Sequence, residues 1–255
     1  MTWNIRRRSH GPALRAADRW DTRAPHLRDL LRAEMPTVLG VQEALPDQAE
    51  WVHAALGDSY GRVGYGRARD AGDEAAPIFY DAQRLELLDW GQHALSRKPG
   101  EPGSRSWGSI FPRVFVAASF RDRDTGMRFQ MINTHLDHLS AWARLMSARA
   151  LSAAVQACPT PSFITGDFNT GPAAAPMRHL REAAQMRDAW DAAESRHSEE
   201  WGTFSRYRPP RAPGRRIDWI LASPSVRVTA AGISTARNAQ RGSDHLPVQA
   251  QIELR

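Results

Sequence analysis

Phe163-Ile164-Thr165-Gly166-Asp167-Phe168-Asn169-Thr170 is the stretch from which the rest of the chain is read. Its apolar run breaks off at Gly-Asp-x-Asn, so the run reads as a buried strand and the polar residues as the loop at its tip. Gly166 lacks a Cβ, which lets a bulky group lie close to the backbone. Asp167 and Asn169 are two positions apart. If strand geometry persists through Phe168 they face the same way, a carboxylate beside an amide, with Phe168 turned into the core. The same residues also read as an Asx-rich turn capping the next element. The surrounding sequence has to decide between the two.

Working outward, polar groups recur at the ends of apolar runs. Thr2 to Ile5 is a short strand carrying Asn4, and Arg6-Arg7-Arg8 after it reads as a solvated face. Pro25 is placed at a first helical position, with Leu27, Leu30, Leu31 and Met35 at helical spacing and Pro36 as the stop. Val38 to Gln42 is an apolar strand ending in Glu43, and Pro46 to Leu56 a second helix. Tyr60 to Tyr65 reads as a strand, followed by a Gly- and charge-rich loop through Glu74. Residues 78–80 and 85–88 are strands, and 96–113 is a loop that ends at Arg113. Val114 to Phe120 pairs across the Asp122–Gly126 turn with a strand of alternating Met127, Phe129 and Met131. That strand ends in Asn133-Thr134-His135-Leu136-Asp137-His138.

Ser140 to Cys158 is an Ala-rich helix, and another lies near 173–184. An Arg/Pro-rich stretch at 206–216 reads as a surface loop. Ile217 to Leu221 is a strand with Asp218 set into it, Arg227 to Ile233 is a further strand, and Ser243-Asp244-His245 leads into the last strand, Leu246 to Leu254. Strand tips on one edge of a packed sheet pair converge on one pocket. Asn4, Glu43, His135, Asp167, Asn169, Asp218, Asp244 and His245 are such tips. Carboxylates and amides without cysteine describe an all-oxygen site for Mg²⁺ or Mn²⁺, and two histidines supply general acid and base groups.

Composition bounds the alternatives. At 255 residues with 42% hydrophobic content and no linker-like stretch, the expectation is one domain over 1–255 with a sizeable core. No run reaches the ~18 apolar residues of a membrane span. Met1 leads straight into Trp3-Asn4-Ile5 with no apolar leader, and Cys158 is the only cysteine. Together these point to the cytoplasm and exclude an intrachain disulfide or a cysteine metal site. The net charge is +6, and of 34 basic residues only Lys98 is a lysine. Guanidinium forks favour an anionic substrate, although GC-rich coding alone also enriches arginine.

In their order, Trp3-Asn4-Ile5, Val41-Gln42-Glu43, Asn133-Thr134-His135-Leu136, Gly166-Asp167-Phe168-Asn169, Arg216-Ile217-Asp218 and Ser243-Asp244-His245 resemble the endonuclease/exonuclease/phosphatase superfamily over nearly the whole chain. The resemblance implies an α/β fold, a four-layered sandwich of two packed mixed β-sheets flanked by helices. It also implies metal-dependent cleavage of a phosphoester by in-line water. Carried over by position, Glu43 corresponds to the principal metal ligand, helped by Asn4, and Asp244 binds metal or supports a ligand. Asp167 orients or deprotonates the water, and Asn169 holds it or the phosphate. His245 faces the phosphate and Asp218 orients it. His135 stands near the leaving oxygen, with Glu74 as a looser match to an acid that orients it.

Arg113 reads either as a phosphate contact or as a surface arginine. Trp219 stands where many relatives have Tyr. The absence of long inserted loops, of an aromatic membrane-associating hairpin and of disulfides argues against abasic-site enzymes and secreted sphingomyelinases. The expected substrate is a phosphodiester, with nucleic acid left open. The alternative is a monoester of a small sugar, inositol or lipid head group. A catalytically dead binder would not need this full set of groups, and a Ser hydrolase elbow, Gly-x-Ser-x-Gly, is missing.

Overall fold

The computed structural model describes residues 1–9, 11 and 15–254. In chain order the elements are β1 (Thr2–Asn4), α1 (Trp20–Glu34), β2 (Val38–Gln42), α2 (Pro46–Leu56), β3 (Tyr60–Val63), β4 (Ile78–Asp81), β5 (Leu85–Ala94), β6 (Val114–Asp122), β7 (Arg128–His135), α3 (Ala141–Gln156), β8 (Ser162–Asp167), α4 (Ala175–Ala183), β9 (Arg187–Asp188), α5 (Ala189–Ala192), β10 (Ser195–Arg196), β11 (Asp218–Ala222), β12 (Val226–Ile233), α6 (Arg237–Gly242) and β13 (Val248–Leu254). They form a seven-stranded sheet, β10-β12-β13-β1-β2-β4-β3, and a six-stranded sheet, β5-β6-β7-β8-β11-β9. Both are mixed, and helices cover their outer faces, as expected for the sandwich.

Side-chain alternation sorts the strands of the second sheet between two cores. Met131, Phe163 and Ile220 turn inward and join Ile78 of the first sheet. Their neighbours Ile132, Ile164 and Leu221 turn outward against Leu151 and Val155 of α3 and Met177 and Leu180 of α4. On the other side Leu27, Leu30 and Leu31 of α1 and Val52 of α2 cover the first sheet. Ser140 caps α3 by accepting a hydrogen bond from the Ala143 N–H at 3.1 Å, which fixes where that helix begins.

Topology carries the strand tips to one edge. β1 runs parallel to β2, and β7 parallel to β8, so Asn4, Gln42, His135 and Asp167 are all C-terminal strand residues. β11 returns antiparallel to β8 with Asp218 directly opposite Asp167, and His135 pairs with Asp167 from the other side. The end of one strand and the start of the next thus deliver three titratable groups side by side.

Three local expectations are revised. The first helix starts at Trp20 rather than Pro25, which lies inside it. Its first turns are held by tertiary contacts: the fully buried Arg23 guanidinium donates to the carbonyls of Ile5 at 2.7 Å, Arg6 at 2.9 Å and Gly242 at 3.1 Å. β5 continues to Ala94 because β6 pairs with it along its whole length, past a register shift at Leu87/Asp89 that disrupts the period-2 pattern. What lies close to Gly166 is a neighbouring strand: with φ at 144°, a Cβ there would sit 2.0 Å from the Thr134 carbonyl oxygen.

A polar crosslink joins the two sheets inside the sandwich. The Asn133 amide nitrogen of β7 donates toward the carbonyls of Val41 (2.8 Å), Ala76 and Pro77 (both 3.0 Å). Its oxygen accepts from Gln42 Nε2 at 2.7 Å and Thr165 Oγ1 at 3.0 Å. Gly40 makes room for it, since a Cβ there would lie 2.4 Å from Asn133 Oδ1. Replacing Asn133 with Leu leaves several buried partners unsatisfied, at about 1–3 kcal/mol each where they stay dry. We therefore expect Asn133→Leu to lose at least about 2 kcal/mol in urea unfolding, against about 0.5 kcal/mol or less for an exposed control such as Arg69→Ala.

Candidate active site

The convergent edge is built around Asp167, whose side chain is buried. The strand ends at this residue, and Asn169 takes a left-handed backbone (φ 52°), so strand alternation does not persist to it. The Asn169 N–H donates to Asp167 Oδ1 at 2.8 Å, closing an Asx turn. The Asx-turn reading of the Gly-Asp-x-Asn stretch is the one realised, with one carboxylate oxygen closing the turn. The other, Oδ2, accepts from Asn4 Nδ2 at 3.1 Å and lies 3.6 Å from His135 Nε2 and 3.8 Å from His245 Nε2. The turn directs the Asn169 amide to His135 Nε2 and the Leu136 carbonyl, both at 3.1 Å.

The two imidazoles are set to opposite charge states. His245 Nδ1 is 2.8 Å from Asp218 Oδ2. Burial opposes a charge on this ring, but the Asp218 and Asp167 carboxylates outweigh it and raise its pKa to about 10. His135 is held well below the usual histidine value by burial and then by Arg113, Arg67 and His245, so its ring is neutral. Asp167 is raised by burial and by the adjacent Asp218. Phe204 lies against His245 with ring centroids 4.7 Å apart, and Trp3 Nε1 holds the His245 carbonyl at 2.9 Å.

Glu43 follows β2 with a left-handed backbone (φ 62°). Its Oε1 accepts from Asn4 Nδ2 at 3.0 Å and its Oε2 from the Arg7 N–H at 3.0 Å. Burial works against ionisation here, but these donors and Arg6 prevail and hold the acid below its ordinary pKa. Asp244 is raised by burial despite His245 nearby, and Arg6 stands 3.9 Å from both Asp244 and Glu43. Asn4 places its amide nitrogen between two acids while its oxygen accepts from the Arg6 N–H at 2.9 Å, so facing a cation requires the amide to turn over.

The donor set fits a hard cation. It is rich in carboxylates and free of sulfur, and Asp218 Oδ1 is buried with no hydrogen-bond partner among the described residues. Asp167, Asp218 and His245 form a buried cluster whose ligand atoms lie within 4.8 Å of one another. A protonated His245 cannot ligate, which leaves the oxygens of Glu43, Asp244 and a turned Asn4 as the residues that could hold it.

Arg113 is buried, contrary to a surface reading. Its Nη2 is 2.8 Å from His138 Nδ1, and its Nε and Nη1 find no hydrogen-bond partner among the described residues. Glu74 lines the same small cavity as His135, Arg67 and Arg113, and its two oxygens are bound by Arg7 and Arg67, each at 2.8 Å. The arginine triplet is no free solvated face: Arg6 reaches Asp18 at 3.3 Å, Arg7 reaches Glu74, and Arg8 reaches Asp47. Arg67 and Phe204 escaped the sequence reading, because neither stands at an apolar run's end. A much larger cavity, about 620 Å³, lies at the opposite end of the strands near Met1, Phe163 and Ile252. Its lining includes Glu34, Arg84, Asp122, His197 and Glu253, but the Asp167, Asp218 and His245 cluster lies elsewhere, so size does not mark the site.

The chain matches the Endonuclease/Exonuclease/phosphatase family over residues 1–245 and belongs to it. Among solved structures it is similar to an endonuclease/exonuclease/phosphatase from Bacteroides vulgatus, at 28% identity and a TM-score of 0.92, covering 100% of this chain and 97% of that one. It is also similar to the mannosyl-6-phosphatase Bt3783 of Bacteroides thetaiotaomicron, at 26% identity and 0.91, covering 99% and 98%. The human Nocturnin catalytic domain, at 18% identity and 0.73 over 98% and 92%, shares the fold. No match to the chain was found among curated proteins.

Replacing Asp218 with Asn removes the anion that keeps His245 charged. In a histidine NMR titration the His245 midpoint should then fall from near 10. The sign for stability follows from the raised pKa. The pairing contributes fully below about pH 6.5 and its contribution is lost as pH rises through about 10, so the stability gap between parent and variant should close over that window.

Proposed function

We propose that residues 1–255 act as one catalytic domain that hydrolyses a phosphoester by in-line attack of water. The observation that carries this reading is the Asp167 carboxylate, which stands within 3.6 Å of one imidazole and 3.8 Å of another in opposite charge states. Asp167, with its raised proton affinity, accepts the proton of the attacking water, and Asn169 fixes the direction of attack. Protonated His245 donates to an equatorial phosphate oxygen, and Asp218 keeps it charged. Neutral His135 stands where the leaving oxygen departs, with Arg113 adding positive charge and Glu74 positioning the arginines around it. Glu43, Asn4 and Asp244 are the residues that would hold Mg²⁺ or Mn²⁺. When bound, that cation neutralises phosphate charge and acidifies water.

The similarity to a mannosyl-6-phosphatase over almost the full length of both chains moves a small phosphomonoester ahead of a phosphodiester. The diester remains the second reading, supported by the exposed arginines of the 206–216 loop, which suit a polyanion.

Hydrolysis of p-nitrophenyl phosphate beside bis(p-nitrophenyl) phosphate, with Mg²⁺, Mn²⁺ or EDTA, separates the two. We expect metal-dependent monoester turnover that falls about 10²- to 10⁴-fold in His245→Ala. Diester-only turnover would reverse the order of the two readings. Glu43→Gln should weaken Mn²⁺ binding in calorimetry, and unchanged affinity would remove Glu43 as a ligand.

A further inference from the structure

Beside His245 stands a cationic feature that phosphoester cleavage itself does not use. Thr203 to Arg216 runs along the site's rim and is tied to the segment carrying the histidine. The Leu246 N–H donates to the Thr203 carbonyl at 2.7 Å, the Arg206 N–H to the Asp244 carbonyl at 2.9 Å, and Ser205 Oγ to the same carbonyl at 3.2 Å. Phe204, whose ring packs against His245, carries two guanidiniums. Arg206 lies 4.8 Å and Arg215 5.5 Å from its centroid. Arg206 and Tyr207 both have left-handed backbones, at φ 55° and 60°. Two consecutive non-glycine residues in that region cost about 1–3 kcal/mol each and are retained where their placement matters. Tyr207 pins the turn by donating its hydroxyl to Asp18 at 2.9 Å.

The two arginines differ from their neighbour. Arg216 is buried and ion-paired with Asp188 at 2.6 Å and Glu200 at 3.1 Å. Arg206 and Arg215 are exposed, and among the described residues neither has a carboxylate within ion-pairing distance or a side-chain hydrogen bond. Arg144, at the start of α3, is itself depressed by burial and feels Arg215 as a repelling charge. Two like charges over one aromatic ring, with no ion-paired acid among the described residues, are suited to an arriving anion. A guanidinium over a ring has N–H donors left for a phosphate or carboxylate.

We propose that Arg206 and Arg215, supported by Phe204, bind a second anionic group of the substrate, adjacent to the phosphoester at His245. This assignment rests on the phosphoesterase reading and narrows it to substrates with two anionic groups, such as a bisphosphorylated sugar or a nucleotide carrying a second phosphate. The ring makes the subsite sensitive to distance, since it fixes both guanidiniums relative to the imidazole.

The test compares the parent with Arg206→Ala/Arg215→Ala on p-nitrophenyl phosphate, fructose 1,6-bisphosphate and thymidine 3′,5′-bisphosphate. The quantity read is the ratio of kcat/KM for each bisphosphate to that for p-nitrophenyl phosphate. We expect the double variant to lower that ratio about 10- to 100-fold, mainly through KM, for whichever bisphosphate the parent prefers. A ratio unchanged within twofold overturns the proposal. Calorimetry on Asp167→Asn, with fructose 1,6-bisphosphate against fructose 6-phosphate and the thymidine bisphosphate against thymidine 5′-monophosphate, reads the subsite without turnover. A bisphosphate preference that disappears with the two arginines supports the subsite even if no substrate is cleaved, in which case the phosphoesterase reading alone fails. Equal affinities within each pair overturn the subsite even if cleavage is robust.

Discussion

The Asn133 amide is the constraint from which the site's geometry follows. It lies between the sheets, takes hydrogen bonds from Gln42 and Thr165, and gives them to carbonyls of the first sheet. Apolar packing between two sheets tolerates small slides, because dispersion contacts are non-directional. A saturated hydrogen-bond crosslink does not, since a shift strands buried polar groups. Gln42 immediately precedes Glu43, Asn133 lies two residues before His135, and Thr165 two before Asp167. One amide thus sets the separation of the groups on β2 from those on β7 and β8. The Gly40 backbone, which tolerates no side chain beside Asn133, makes the approach close enough.

Within that frame the two histidines acquire different chemistry from their surroundings alone. Both are buried, which discourages charge. His245 has Asp218 at hydrogen-bonding distance and Asp167 beyond it, whereas His135 faces Arg113 and Arg67. Carboxylates behind one ring and guanidiniums around the other give a proton donor and a neutral partner on either side of Asp167. Pairs of titratable groups whose environments push them apart mark an acid/base assignment. The arrangement costs stability, since Asp167 and Asp218 stand opposite one another on paired strands and repel.

Much of this was legible in the sequence, because strand tips are legible. A period-2 apolar run that stops at an acid, amide or histidine announces both its element and its edge. Glu43, His135 and Asp167 were singled out in that way, Asp218 as an acid set into a strand and His245 as a residue leading into one. The parts that were not legible depend on partners far away in sequence. Pro25 signalled a helix start that Arg23 overrides through carbonyls near residues 5 and 242. The triplet 6–8 looked solvated because its acids, Asp18, Glu74 and Asp47, lie in other elements. Phe204 stands in no periodic pattern, and its place is shown by its backbone bridge and ring contact to His245.

The arginine excess, ambiguous as composition, divides into roles once each guanidinium is placed. Arg23 is fully buried and satisfied by carbonyl oxygens, work that a lysine's compact ammonium does poorly because it cannot spread donors over a plane. Arg67 and Arg113 are buried around Glu74 and His135, where burial first and then their charge keep an imidazole neutral. Surface arginines such as Arg84 and Arg227 simply pair with acids and contribute little. Biased coding can raise the number of arginines, but it does not aim them. Arg206 and Arg215 share an aromatic ring beside His245 with no ion-paired acid among the described residues, an arrangement suited to an incoming anion.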